Sequence, residues 1–153
     1  GSGDKYGKEA VEALMKRMED DKGKFVVIAA GYRKEMTTFM QVNPGLESRF
    51  THRLHIEDYT EIELAEIFKM LARKKQYLIS EQAEAVLYEQ IHELFSQKTR
   101  TFGNAREMRR LFDATIQQLS MRVSTISPDK LSERDYQLIE APDIQRAMRA
   151  MDA

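Results

Sequence analysis

Cysteine is absent from the 153 residues. Neither a disulfide framework nor thiolate chemistry is therefore open to the chain, and a reducing, cytoplasmic setting is the default expectation. No apolar run approaches the roughly 20 residues that span a bilayer, and no basic, apolar, small-residue succession marks a secretory signal. Charge of either sign is not in excess. Lys and Arg number 24 against 25 Asp and Glu, a formal net charge of -1, which gives no global reason to expect nucleic acid or an anionic membrane as a partner. A phosphate-binding loop is missing too. Gly-Lys occurs at Gly7-Lys8 and Gly23-Lys24, but a G-x-x-x-x-G-K-[ST] loop needs glycine at position 2 or 18, where Ser2 and Met18 stand. His52, His55 and His92 have no cysteine to help them and do not share metal-ligand spacing. No Ser/His/Asp set is singled out by spacing.

What remains is 42% hydrophobic and 32% charged, the composition of a soluble, helix-rich globular chain with a real core. From Tyr6 to Asp21 the apolar positions Val11, Leu14, Met15 and Met18 form one helical stripe. Gly23 stops it. "FVVIAAGY", Phe25 to Tyr32, is a continuous apolar run with the length and β-branched content of a strand buried on both faces. A short helical stretch, Arg33 to Gln41, leads to the turn Asn43-Pro44-Gly45, and "THRLHIED", Thr51 to Asp58, alternates as a second, more exposed strand. Helix, strand, helix, strand is an α/β signature.

From Thr60 the pattern is helical throughout. Thr60 with Glu63 forms a capping box ahead of Leu64, Ile67, Phe68 and Leu71. Ser80 caps a helix carrying Val86, Leu87, Ile91, Leu94 and Phe95. Asn104 is expected to cap a third, with Met108, Leu111, Phe112, Ile116, Leu119 and Val123. After the polar loop "SPDKLSERD", a last short helix starts near Pro142 and carries Ile144, Ala147, Met148 and Met151. An all-α unit of about four helices thus follows the α/β segment. Two parallel strands are too few for a stable sheet, so the first segment reads as the back end of a larger one. "GSG" at Gly1 to Gly3 reads as a vector remnant, and the chain is expected to be a piece of a longer protein.

Two arginines have the context of anion ligands. Arg49 follows the Pro-Gly turn at the lip of an expected strand, where a guanidinium meets a phosphate with paired hydrogen bonds. Arg106, in "FGNAREMRRLF", falls in the first turn of a helix, against the helix dipole. The plainer alternative makes Arg106, Arg109 and Arg110 a solvated face. The acidic end of "LHIED" is a poor Mg²⁺-carboxylate strand, because Arg53 and His55 interrupt its apolar run. The nine methionines lie mostly on the apolar stripes and read as core filling.

"DKYGKEAVEALMKRMEDDKGKFVVIAAGY", "NPGLESRFTHRLHIEDYTEIELAEIF" and "FGNAREMRRLFD", in this order, resemble the C-terminal portion of an AAA+ ATPase of the CbbX and stage V sporulation protein K type, to which the EccA-like ATPases are related. The resemblance runs from Asp4 to about Val123 and weakly over the last helix. It implies the last two parallel strands and flanking helices of an AAA+ α/β core at residues 4–59, after a remnant at 1–3, and a helical lid at 60–153. It implies a ring, hexameric in this family, that couples ATP hydrolysis to the remodelling of a protein client. ATP and Mg²⁺ would serve the full-length protein, with none expected for this chain alone, which would be inactive by itself. In the resemblance Arg49 matches the arginine finger acting in trans, and Arg106 matches sensor 2, with Gly103 and Asn104 beside it. Tyr32 stands at the sensor-1 position, where many AAA+ proteins carry Asn or Thr. No metal ligand, nucleic-acid partner or membrane span is implied. The rival readings are a non-enzymatic helical interaction module and a DNA-handling relative; against the latter, no basic stripe with interleaved aromatics runs along the helices.

Overall fold

The computed structural model describes residues 5–96 and 104–151. Among these residues the protein is mostly helical, with seven α-helices and two short parallel strands. It divides into two compact units, residues 1–56 and 57–153.

In the first unit, α1 (Lys5–Asp20) turns Val11, Leu14, Met15 and Met18 inward to half-burial. Asp21 closes it by pairing with Arg17 and Lys24, and Gly23 takes the left-handed φ of 82° that ends the helix. Then α2 (Arg33–Val42) and α3 (Pro44–Arg49) follow almost without a break. The Asn-Pro-Gly stretch, expected as a turn, starts a helix instead. Asn43 Oδ1 accepts from the Gly45 N–H at 2.9 Å, and Pro44 at N1 has no N–H to leave unpaired. Leu46 is fully buried, and Phe50 meets Phe39 edge-on at 6.3 Å.

Neither expected strand of this unit forms. Phe25–Tyr32 and Thr51–Asp58 carry no strand assignment, and Val26, Ile28, Leu54 and Ile56 are 85%, 86%, 94% and 90% exposed. The composition suits a pleated, half-buried surface, but a strand exists only as one side of a ladder, and no described segment pairs with either run.

The two strands lie in the second unit. Here α4 (Glu61–Lys74) opens with the capping box: Glu63 N–H donates to Thr60 Oγ1 at 3.3 Å, and Glu63 Oε2 accepts from Thr60 N–H at 2.8 Å. Past a left-handed Gln76, β1 (Leu78–Ile79) pairs parallel with β2 (Leu138–Ile139), Leu78 opposite Leu138 and Ile79 opposite Ile139. Ser80 Oγ accepts from Ala83 N–H at 3.2 Å and starts α5 (Glu81–Ser96). Then come α6 (Ala105–Ser124), two 3-10 turns within the expected loop (Pro128–Lys130 and Glu133–Tyr136), and α7 (Ala141–Met151). Leu64, Phe68, Leu87, Ile91, Met108, Leu111, Phe112, Ile139, Ile144 and Ala147 are at most 1% exposed and form one core. Phe112 lies at its centre, edge-on to Phe68 at 5.5 Å and to Tyr77 at 6.1 Å. Thr115 is buried but satisfied, donating to Leu111 O.

Candidate functional site

The residues expected to meet phosphate fall in both units. Tyr32 sits at the N-cap of α2, 81% exposed, with no side-chain capping bond. Arg49 ends α3. Its guanidinium does not reach out from a rigid turn but folds back: Nη1 donates to Gly45 O at 3.3 Å, and Nη2 donates to Glu19 Oε2 at 2.9 Å. Its Nε–H is buried without an acceptor among the described residues. An open cleft of about 950 Å³ runs beside it, lined among others by Glu19, Phe25, Val27, Arg49 and His52.

In the second unit, Asn104 takes the N-cap position of α6 with φ 51° and ψ -120°, but its side chain makes no capping bond. It turns away instead, and Nδ2 donates to Asp58 Oδ1 at 2.6 Å, while Oδ1 is buried without a partner among the described residues. A non-glycine residue in that backbone region is strained. The capping expectation therefore holds for position and fails for chemistry. Gly103 lies outside the described residues. Arg106, in the first turn of α6, is exposed and makes no ion pair or hydrogen bond with another described residue. With Ala105 and Arg109 it lines a depression of about 320 Å³. Arg110, by contrast, is bound to Glu107 at 3.1 Å.

Other ionic contacts were not legible in the sequence. Arg122 grips Asp143 with Nε and Nη2, both at 2.9 Å, and Nη2 also donates to Leu138 O. Asp143, fully buried, accepts a third bond from Glu140 N–H. The hydrogen bonds to Asp143 hold the Arg122 guanidinium above its ordinary value. Lys69 on α4 pairs with Glu84 of α5 at 2.7 Å and with Glu66 at 2.9 Å, and these bonds, Glu84 first, raise its ammonium above the usual lysine range. His92 contacts Glu61 at 3.0 Å. No group of three or more His, Cys, Asp or Glu among the described residues is placed to hold a metal ion. No described helix is long and apolar enough to cross a membrane.

Residues 60–153, the whole of the four-helix region, match the AAA lid domain. The chain belongs to the AAA+ ATPase family. Within it, the lid-bearing chain is similar to the protein CfxQ homolog of Galdieria sulphuraria, 39% identical over 147 residues, 96% of this chain and 48% of that one. It is 34% identical to stage V sporulation protein K of Bacillus subtilis over 140 residues, 91% of this chain and 43% of that one. It is also 34% identical to the chloroplastic ribulose bisphosphate carboxylase/oxygenase activase of Cyanidioschyzon merolae over 142 residues, 93% and 48% of the two. The AAA+ chain spans about half the length of the curated relatives it matches.

Proposed function

We propose that the chain serves a ring-forming AAA+ ATPase that couples ATP hydrolysis to the remodelling of a protein client, with residues 60–153 as the lid. ATP, with Mg²⁺, supplies the phosphoanhydride whose hydrolysis drives the motion. The fit of this chain to nucleotide is confined to the phosphate end. Arg106 presents an exposed, unengaged guanidinium in a concave setting, whereas no Gly-Lys-Ser/Thr loop is present to wrap the phosphates. The reading gives Arg106 the sensor-2 role: it contacts the terminal phosphate from the lid of its own subunit, with Gly103 and Asn104 assigned to the same nucleotide-binding group. Arg49 is assigned as the finger that reaches a neighbouring subunit's phosphate. Both positions suit arginine, whose planar fork meets equatorial phosphate oxygens in pairs. An arginine supplied in trans is worth roughly 10³–10⁵ in rate in GTPases. Tyr32, exposed and capping nothing, would take the sensor-1 position through a phenol hydroxyl.

The observation that carries the reading is the state of Arg106. Arg110, a turn along the same helix, is paired, while Arg106, like Arg109 beside the same depression, is left open, and of the two it is Arg106 that stands in the first turn of the AAA lid's α6. The test is made in the longer protein that contains this chain. Arg49→Ala should abolish ATP hydrolysis and leave nucleotide binding largely intact, whereas Arg106→Ala should weaken binding and hydrolysis together. Loss of binding in the Arg49 variant, or unchanged behaviour in the Arg106 variant, overturns the respective role.

A further inference from the structure

The guanidinium of Arg49 is already occupied by an anion of its own subunit. Glu19, at the C-terminal end of α1, places Oε2 2.9 Å from Nη2, and the carbonyl of Gly45 takes Nη1. The side chain is thereby bent back along α3 towards α1. Space beside it is tight, because a Cβ on Gly45 would stand 3.2 Å from Nη1 and 2.5 Å from the Met15 methyl.

We propose that Glu19 is a positioning residue that parks Arg49: its carboxylate competes for the guanidinium with the phosphate-type anion that Arg49 serves, an inference that rests on the anion-facing reading of Arg49 given above. Two observations support a parked rather than a finished state. The Nε–H is buried with no acceptor among the described residues, so the resting pose leaves one donor of the fork unused. A phosphate accepting from Nε and Nη2 together would satisfy that donor and take over the bond now made to Glu19. Glu19 is the looser partner: its side chain is 64% exposed against 28% for Arg49, so the carboxylate can leave for water while the arginine stays anchored through its stem. An exposed pair of this kind holds weakly, which suits a contact that must yield when an anion arrives.

The test uses the 153-residue chain and inorganic pyrophosphate as the probe. The Arg49 Nε–H signal in a proton–nitrogen spectrum is assigned by its loss in Arg49→Lys, then followed through a pyrophosphate titration in wild type and in Glu19→Gln. The glutamine is near-isosteric and solvent-facing, and Glu19→Ala repeats the measurement should the amide spectrum of the first variant lose its dispersion. Parking predicts that the signal shifts in Glu19→Gln before any probe is added, and that half-saturation comes at about two- to fivefold lower pyrophosphate, the worth of an exposed ion pair. An Arg49 signal indifferent to residue 19 overturns it. So does a higher half-saturation in Glu19→Gln, which makes Glu19 an organiser of the site instead, or a signal that pyrophosphate moves in neither protein. Hydrolysis by Arg49→Ala in the longer protein tests the finger, and this titration tests the parking contact, so one can fail without the other.

Discussion

Replacing Asp143 by alanine should unfold the lid more readily than any other single change outside its apolar core. The carboxylate is fully buried and accepts three hydrogen bonds, from Arg122 Nε and Nη2 at 2.9 Å and from Glu140 N–H at 3.0 Å. Asp143→Ala leaves a guanidinium whose side chain is only 22% exposed with the Leu138 carbonyl as its remaining partner, and it orphans the first N–H of the α7 entry. Breaking a buried pair by removing one partner costs about 3–5 kcal/mol. Because Arg122 keeps some contact with water, the low end applies, about 3 kcal/mol. At about 4–8 °C per kcal/mol for a domain of this size, the melting temperature should fall by about 12–24 °C. Urea titration followed by far-UV circular dichroism measures the loss, with an unchanged denaturant slope showing that the same surface unfolds. The double change Arg122→Met with Asp143→Leu should recover most of it, since an apolar pair leaves no charge unpaired. A cost under about 1 kcal/mol for Asp143→Ala would falsify the burial of this pair and with it the assigned link between α6 and α7.

Four further outcomes are expected. Phe68→Ala removes the ring that meets Phe112 and should destabilise by about 3–5 kcal/mol in the same urea assay. The Thr60 box, and a second one at the start of the Glu133–Tyr136 turn where Ser132 N–H and Oγ donate to Asp135 Oδ2 at 2.7 and 2.6 Å, hold Glu63 and Asp135 below their ordinary values of 4.5 and 3.8. Their folded values being depressed, the stability they add is present above those ordinary values and lost as pH falls through the lowered ones, so the melting temperature should drop on acidification below about 4.5. Thr60→Ala should lower stability at pH 7 by about 1 kcal/mol and flatten part of that acid slope; an unaltered slope would remove Glu63 from the account. Lys69→Met and Glu84→Gln, alone and combined, should give a coupling energy of about 0.5–1 kcal/mol in a double-mutant cycle, since the pair joins α4 to α5 across a half-buried gap.

Legibility in the sequence follows the range of the interaction. The stripes Leu64–Phe68, Leu87–Ile91 and Met108–Leu111–Phe112 are local periodicities, and each is the buried face of its helix. The Thr60 and Ser80 caps are equally local and form as read. Strands are different, because pairing is decided elsewhere in the chain. Phe25–Tyr32 has the right composition and no partner strand among the described residues. Leu78–Ile79 and Leu138–Ile139 are two residues each, too short to register as a pattern, and they pair because helix packing brings them together. Of the site, the arginines could be picked out by their turn and helix contexts, but not their engagements. Nothing near Arg49 in sequence announces Glu19, thirty positions away. Asp143 reads as an ordinary acidic first-turn residue, and only the folded α6 shows that Arg122 faces it.

The short β1–β2 ribbon has a consequence for how the lid comes into being during synthesis. It ties the residues just after α4 to those just before α7, and α7 then adds Ile144, Ala147 and Met148 to the core and Asp143 to Arg122. Until α7 has been made, the stripes of α4, α5 and α6 can meet one another but cannot be closed over, and Arg122 has no carboxylate to answer it. Before α7 is available, the nascent lid is therefore expected to expose apolar faces, the kind of surface that folding helpers bind and that aggregates when they are scarce. Closure of the core waits on α7, so mutations in this helix should reduce the yield of soluble protein before they alter anything the finished lid does.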